Sequence, residues 1–155
     1  MSLVADGAQD RTFISGQNAT VGADSAGRGA DAVACAYVNE GAVIRGFTLR
    51  NGRTNTANSP SWWDGQASAG GGSGGVFEDC TITGCAGFES LLQYTTVKRC
   101  RIVNNLANIS SFGSAGRGTS YYDCIIDHIR GKNAVHAINT MVNCTVGADF
   151  PDGDA

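Results

Sequence analysis

The sequence predicts an all-β fold of stacked coils, a parallel β-helix, and three observations carry that prediction. Cys80, Cys100, Cys124 and Cys144 recur at intervals of 20, 24 and 20 residues. Each stands in the same local frame, with a large residue three places before it and an aliphatic residue two places after it. The two residues just before each cysteine are mostly polar, which breaks the strand period of two as a chain turning a corner would. Short strands and corners at a period near 20 belong to a solenoid, in which each coil buries its inward side chains against equivalent columns above and below.

Taken in order, residues 1–10 are small and polar and read as an irregular lead-in. Thr12-Phe13-Ile14-Ser15-Gly16 reads as a short strand closed by a glycine turn. Residues 17–31 are mostly Gly, Ala, Ser, Asp and Asn and read as a loop. Val33-Ala34-Cys35-Ala36-Tyr37-Val38 reads as a strand, and Asn39-Glu40-Gly41 as a turn. The first clear copy of the repeat follows, Ile44-Arg45-Gly46-Phe47-Thr48-Leu49, with Phe47 in the cysteine's place. Residues 53–75 then interrupt the period and stretch the anchor spacing to 33, between Phe47 and Cys80. This stretch reads as an inserted loop that carries both tryptophans and ends in a flexible glycine run. A loop of that length is usually functional or disordered. The repeat then proceeds to Val146, and residues 148–155 read as an acidic tail. The whole is one domain of 155 residues, expected to be a segment of a larger protein.

Aligned on the anchor, the copies form columns. Three places before it stand Ile44, Phe77, Val97, Tyr121 and Met141, and two places after it Leu49, Ile82, Ile102, Ile126 and Val146. These columns and the anchors are expected to face inward, with Thr48, Thr81, Arg101, Ile125 and Thr145 outward between them. A leucine-rich repeat has a similar period, but its L-x-x-L-x-L-x-x-N frame is absent.

Composition excludes several classes of function. Net charge is −3 with a pI near 5.2, so no global basic field recruits nucleic acid or an anionic membrane. No apolar run approaches the roughly 20 residues that span a bilayer, so no membrane insertion is expected. The six cysteines permit about 15 full pairings. Four of them occupy an inward position, where free cysteine acts as a small buried hydrophobe, and stacked free thiols are the expectation. No C-x₂-C pair is present and no histidine falls in zinc-ligand spacing, so no metal site is expected.

The copies Ile44-Arg-Gly-Phe-Thr-Leu-Arg-Asn-Gly52, Asp79-Cys-Thr-Ile-Thr-Gly84 and Arg99-Cys-Arg-Ile-Val-Asn-Asn105 resemble repeats of the pectin-lyase-like superfamily of right-handed parallel β-helices. They look closest to the repeats of large bacterial surface and secreted proteins, and the resemblance covers roughly residues 12–147. It implies a right-handed helix of about five to six coils and an extracellular or cell-surface setting. It also implies partners such as a polysaccharide or cell-surface glycan. For activity it is unspecific, because lyases, hydrolases, adhesins and phage tail proteins share this fold. Families of this kind often stack asparagines in a turn. Asn51 and Asn104 occupy such a position, while Gly84 and His128 break the ladder.

Two groups of residues are candidates for function. Asp79, Arg99 and Asp123 stack in the column before the anchor, with Lys98 and Glu78 beside them. One reading is a polysaccharide site, with Arg99 or Lys98 binding or deprotonating a uronate and Asp79 or Asp123 as acid/base or metal ligand. The other is a ladder of opposite charges on a solvated sheet. The second group is Trp62 and Trp63 with Asp64, since exposed aromatic rings stack on sugar faces. Asp123 and Asp127, with His128, Arg130 and Lys132 after them, form the densest ionisable set, without the motifs of polygalacturonase-type hydrolases. The sequence therefore points to a carbohydrate-associated or adhesive module without catalysis. A lyase or glycoside hydrolase acting on an acidic polysaccharide is the first alternative, and whether the chain is an enzyme stays open. The second alternative is a structural spacer or a stalk that oligomerises through the solenoid ends. No cofactor is expected, and calcium enters only with the lyase.

Overall fold

Strands of three to six residues and the two-residue corners that join many of them make up most of the described residues. The computed structural model describes residues 1–7, 11–55, 69–87, 90–106, 114–130 and 140–147. In chain order the strands are β1 (Ser2–Val4), β2 (Phe13–Ser15), β3 (Val43–Arg45), β4 (Thr48–Arg50) and β5 (Ala69–Ser73). There follow β6 (Val76–Glu78), β7 (Thr81–Thr83), β8 (Ser90–Gln93), β9 (Thr96–Lys98) and β10 (Arg101–Leu106). The last five are β11 (Ser114–Arg117), β12 (Ser120–Tyr122), β13 (Ile125–Arg130), β14 (Thr140–Val142) and β15 (Thr145–Gly147). There is no helix among the described residues.

All strand pairs are parallel, and successive strands of one coil belong to different sheets, the arrangement of a parallel β-solenoid. The first sheet runs β1-β3-β6-β9-β12-β14, the second β2-β4-β7-β10-β13-β15, and the third β5-β8-β11. In the first sheet Leu3, Ile44, Phe77, Val97, Tyr121 and Met141 stand in register. In the second, Ile14, Leu49, Ile82, Ile102, Ile126 and Val146 do the same. These are the columns read from the sequence. Through the inner coils they are fully buried around the stacked thiols, and the core is one continuous cluster. In the last described coil Met141 and Val146 are 37% and 41% exposed, because among the described residues no further coil lies over them. Leu3, Val4 and Phe13 are exposed in the same way at the opposite end.

Three sequence expectations are corrected. Residues 1–10 contain β1, which pairs with β3, so the lead-in is not wholly irregular. Residues 33–38 do not form a strand. Val33 makes a single antiparallel bridge to Gln17, and Tyr37 a single parallel bridge to Ser73. The inserted loop assigned to 53–75 is ordered at both ends. Arg53 pairs with Ala86, Asn55 with Gly29, and the glycine run is β5, the first strand of a third sheet. Glycine is needed there for close approach. A Cβ on Gly72 would stand 2.6 Å from Phe77 Cζ, and one on Gly71 would stand 2.9 Å from the Leu91 carbonyl oxygen. What looked like flexibility is room for a core phenylalanine. Trp62, Trp63, Asp64, Lys132 and the tail 148–155 lie outside the described residues.

The corners share one construction. Gly46, Asp79, Arg99, Asp123 and Asn143 all have φ between 50° and 79° and turn the chain from the first sheet into the second. Asn51, Gly84, Asn104 and His128, at φ 50–64°, turn it again at a second corner after β4 and β7 and within β10 and β13. Tyr94 and Gly118 do so at a third, between the third sheet and the first. A left-handed residue costs a non-glycine side chain roughly 1–2 kcal/mol, so something must offset it. At most corners the residue that follows points inward and adds a side-chain hydrogen bond to a carbonyl beside the turn, whereas Phe47 and Ile129 fill that position with apolar side chains. The Cys100 thiol donates its one hydrogen to the carbonyl of Lys98 (3.1 Å), with that of Phe77 (3.5 Å) as an alternative acceptor, and accepts the Cys80 N–H (3.3 Å). At the second corner the buried Asn105 amide does the same with stronger bonds. It donates to Val103 (3.0 Å) and Ile82 (2.8 Å) and accepts the Cys85 N–H (2.9 Å).

Replacing Gly72 by alanine drives a methyl group into the Phe77 ring, and overpacking of this kind costs about 1–3 kcal/mol. Urea unfolding of Gly72→Ala will show a lowered midpoint of that size. An unchanged midpoint would mean that β5 does not pack on Phe77.

Candidate functional site

Two surfaces gather polar side chains, one outside the first corner and one beside the second. At the first corner the left-handed residue turns its side chain outward, so equivalents from successive coils stack. Glu78, in register between Arg45 and Lys98, accepts from both Arg45 (Nε, 2.7 Å) and Arg99 (Nη2, 2.5 Å). Arg99 also holds Asp79 through both carboxylate oxygens, at 2.7 and 3.1 Å. One coil further on, Asn143 Nδ2 donates to Asp123 Oδ1 at 2.6 Å.

Electrostatics follows from that geometry. Hydrogen bonds from Arg99 and then Arg45 hold Glu78 below the ordinary carboxylate range, and Arg99 does the same for Asp79. Those two carboxylates raise Arg99 further above its already high value. A carboxylate held ionised by arginine is a poor proton donor, and an arginine so stabilised is no base. Asp79, Arg99 and Glu78 are thus brought together and bonded to one another. Asp123 lies a coil away on a different partner, and Lys98 faces the same sheet beside Glu78.

The second surface is a groove of about 460 Å³ between the 17–31 loop and the second corner. Two aspartates give the loop its shape. Asp31 accepts the N–H groups of Thr20 and Val21 (2.9 and 3.0 Å), and Asp24 accepts those of Ala26 and Arg28 (both 2.9 Å). Arg28, ion-paired with Asp24 at 2.6 Å, fastens the loop to the coil stack by donating to the Gly87 carbonyl at 3.2 Å. Asn18 and residues 25–27 form one wall, and Asn104 and His128, left-handed corner residues, form the other.

The column Arg53, Ala86, Leu106, Arg130, in register across four coils, runs along this groove. Arg53 donates through Nη1 to the carbonyls of Gly52 (3.0 Å) and Gly84, while its Nε is buried without a hydrogen-bond partner. His128 Nδ1 stands 2.8 Å from the Asp127 carboxylate. The groove therefore has a small apolar floor, an arginine at each end and amide and imidazole groups along one side. Coils about 4.8 Å apart put the two arginines about 14 Å from each other along the stack. Such a groove suits an extended ligand with anionic groups at intervals.

His128, Arg130 and Asn104 stood out in the sequence, but Arg53 and Asn18 did not. The signal that links Arg53 to Arg130 is the register of the second corner, two residues past the left-handed position, which the anchor alignment passes over; Asn18 enters from the 17–31 loop. Among the described residues no group of three or more His, Cys, Asp and Glu side chains is placed to hold a metal ion. Compared with protein-family models, curated proteins and solved structures, the chain matches none.

The depressed carboxylates set the acid dependence of stability. Their stabilisation is fully present above the ordinary values of 4.5 for Glu78 and 3.8 for Asp79, and it is lost as pH falls through their lower folded values. Arg99→Gln removes the partner common to both. Its denaturation midpoint, followed from about pH 6 to about pH 2, will fall less steeply than that of the parent, whereas Lys98→Gln will track the parent. Superimposable curves for Arg99→Gln and the parent would refute the assignment.

Proposed function

We propose that the chain is part of a right-handed parallel β-helix of about five to six coils, of the pectin-lyase-like kind, acting outside the cell as a non-catalytic module that binds an acidic glycan. The observation that carries this reading is the groove at the second corner, with Arg53 and Arg130 at its ends and Ala86 and Leu106 as its floor. A pyranose unit has an apolar face and a polar rim, and its length along a chain is close to the spacing of the coils. An oligosaccharide lying along the stack would set a sugar face against the alanine–leucine floor and direct carboxylates or sulfates to the arginines. Guanidinium groups bind such anions through paired charge-assisted hydrogen bonds. Asn18, Asn104 and His128 supply donors and acceptors for hydroxyl groups.

Absence of catalysis is argued from the other surface. There Asp79 and Glu78 are saturated by Arg99 and Arg45 and are held ionised, so neither is suited to protonate a leaving group. Trp62 and Trp63, adjacent to Asp64, remain sequence candidates for a further sugar contact.

Calorimetric titration with uronic-acid oligosaccharides and with their neutral counterparts tests the proposal. The acidic series will bind, more weakly as salt rises, and Arg130→Ala will weaken it about tenfold, the loss expected from one charge-assisted hydrogen bond. A flat titration with both series would remove the groove as a glycan site. Release of unsaturated sugar ends during incubation would replace the binding module with a lyase.

A further inference from the structure

Cys35 and Cys85 stand apart from the other four cysteines. Their Sγ atoms are 3.9 Å from each other, and they come from different parts of the fold, one from the segment after the 17–31 loop and one from the second corner. The inward column at that corner is Gly52, Cys85, Asn105 and Ile129, one residue per coil. Gly52 has no side chain to turn inward, and Gly16 packs directly on it, since a Cβ on Gly16 would lie 2.4 Å from Gly52 Cα. The space above Cys85 is therefore open, and Cys35 fills it. Its thiol donates to the Arg50 carbonyl at 3.4 Å, the carbonyl two residues before Gly52. Cys85 serves Thr83 in the same way at 3.5 Å, and Asn105 serves Val103. Cys35 thus caps from outside the coil a corner that Gly52 cannot cap itself. Val33 and Tyr37, bridged to Gln17 and Ser73, hold it there on both sides.

We propose that Cys35 and Cys85 form a disulfide when the folded protein meets a low-molecular-weight disulfide oxidant. This inference does not rest on the groove binding a glycan. Cys35 is half-buried where Cys85 is fully buried, and is the entry point. Its thiol is the more easily ionised of the two: a hydrogen bond from Cys85 lowers it, with help from the Gly16 and Gly52 N–H groups and the Arg53 charge, while the same contact and burial push Cys85 up. The Cys35 thiolate attacks one sulfur of the oxidant RSSR, breaking its S–S bond and releasing one thiolate. The Cys85 sulfur then attacks Cys35 Sγ, the second RS group leaves, and the two released groups carry off the two cysteine protons. In sum, two cysteine thiols lose two electrons and two protons, and RSSR becomes two RSH.

Cys80, Cys100, Cys124 and Cys144 cannot follow. They are equivalent corner positions of successive coils, kept at the coil spacing of about 4.8 Å. A disulfide needs Cβ atoms at roughly 3.5–4.5 Å. Although a hydrogen bond with Cys100 lowers the Cys80 thiol to about 7, Cys80, Cys100 and Cys124 are each only 1% exposed and out of an oxidant's reach. Closing the Cys35–Cys85 bond joins the segment that follows one groove wall to the corner that forms the other, since Cys85 lines the groove.

Equilibration of the folded protein with oxidised glutathione, followed by alkylation and non-reducing peptide mapping, tests this. The expected product is one internal disulfide, two hydrogens lighter than the reduced chain, linking Cys35 to Cys85, with a raised urea midpoint. Cys35→Ser and Cys85→Ser, each folded by circular dichroism, will lack it, and Cys124→Ser will keep it. A disulfide mapped to any other pair, or a glutathione adduct that stays on Cys35 without resolving, would overturn the proposal. So would six free thiols under conditions that oxidise an exposed control dithiol.

Discussion

Everything in this fold depends on how the backbone is satisfied at its corners. A coil built from strands of three residues must turn sharply several times. The carbonyls before the turns keep their bonds to the neighbouring coil, as Lys98 does with the Asp79 N–H and Glu78 with the Gly46 N–H, and a buried hydrogen bond left unmade there would cost about 1–3 kcal/mol. The chain adds a two-residue device: one residue in the left-handed conformation, then, at most corners, one inward side chain that bonds a neighbouring carbonyl as well. Thiols do this at the first corner, Asn105 and Cys85 at the second, and Thr95 and Thr119 at the third. The cysteines are therefore more than small hydrophobes. Each is a weak donor that adds one hydrogen bond where leucine could make none.

The same device decides where function can sit. A left-handed residue that turns the chain outward presents its side chain to solvent at every coil, and equivalents stack. At the first corner these positions carry opposite charges, and the stack spends them on itself: Arg99 serves Asp79 and Glu78, and Arg45 serves Glu78 as well. At the second corner the outward column is Asn51, Gly84, Asn104 and His128, and the position two further on is Arg53, Ala86, Leu106 and Arg130. Here the two arginines are separated by small and apolar residues rather than paired with acids on the same column. The 17–31 loop, locked by Asp24 and Asp31, rises beside them and turns a flat face into a groove.

Much of this was legible in the sequence because columns repeat. The Ile44, Phe77, Val97, Tyr121 series and the Leu49, Ile82, Ile102, Ile126 series stand in the register that the alignment on Cys80 and its equivalents predicts, and the second residue of each polar pair, with the anchor, is the corner, while the first ends the strand. The third sheet was not legible. Its first strand is glycine-rich because Phe77 occupies the space where side chains would be, so the hydrophobic pattern that identifies a strand is missing. Residues 33–38 misled in the opposite direction. Their alternation arises because Cys35 fills the void over Gly52, not because the segment joins a sheet. The groove was only half legible, since His128 and Arg130 drew attention as charges while Arg53 acquires its place from a bridge to Ala86.

The account turns on the inward cap, and Asn105 is where a single side chain carries it most completely, with two carbonyls and one N–H bonded to one buried amide. Amide hydrogen exchange in Asn105→Ala, read at Cys85, is the most direct measurement. The cap predicts that the Cys85 N–H loses protection and that global stability falls by about 1–3 kcal/mol. Full protection at Cys85 with unchanged stability would contradict it.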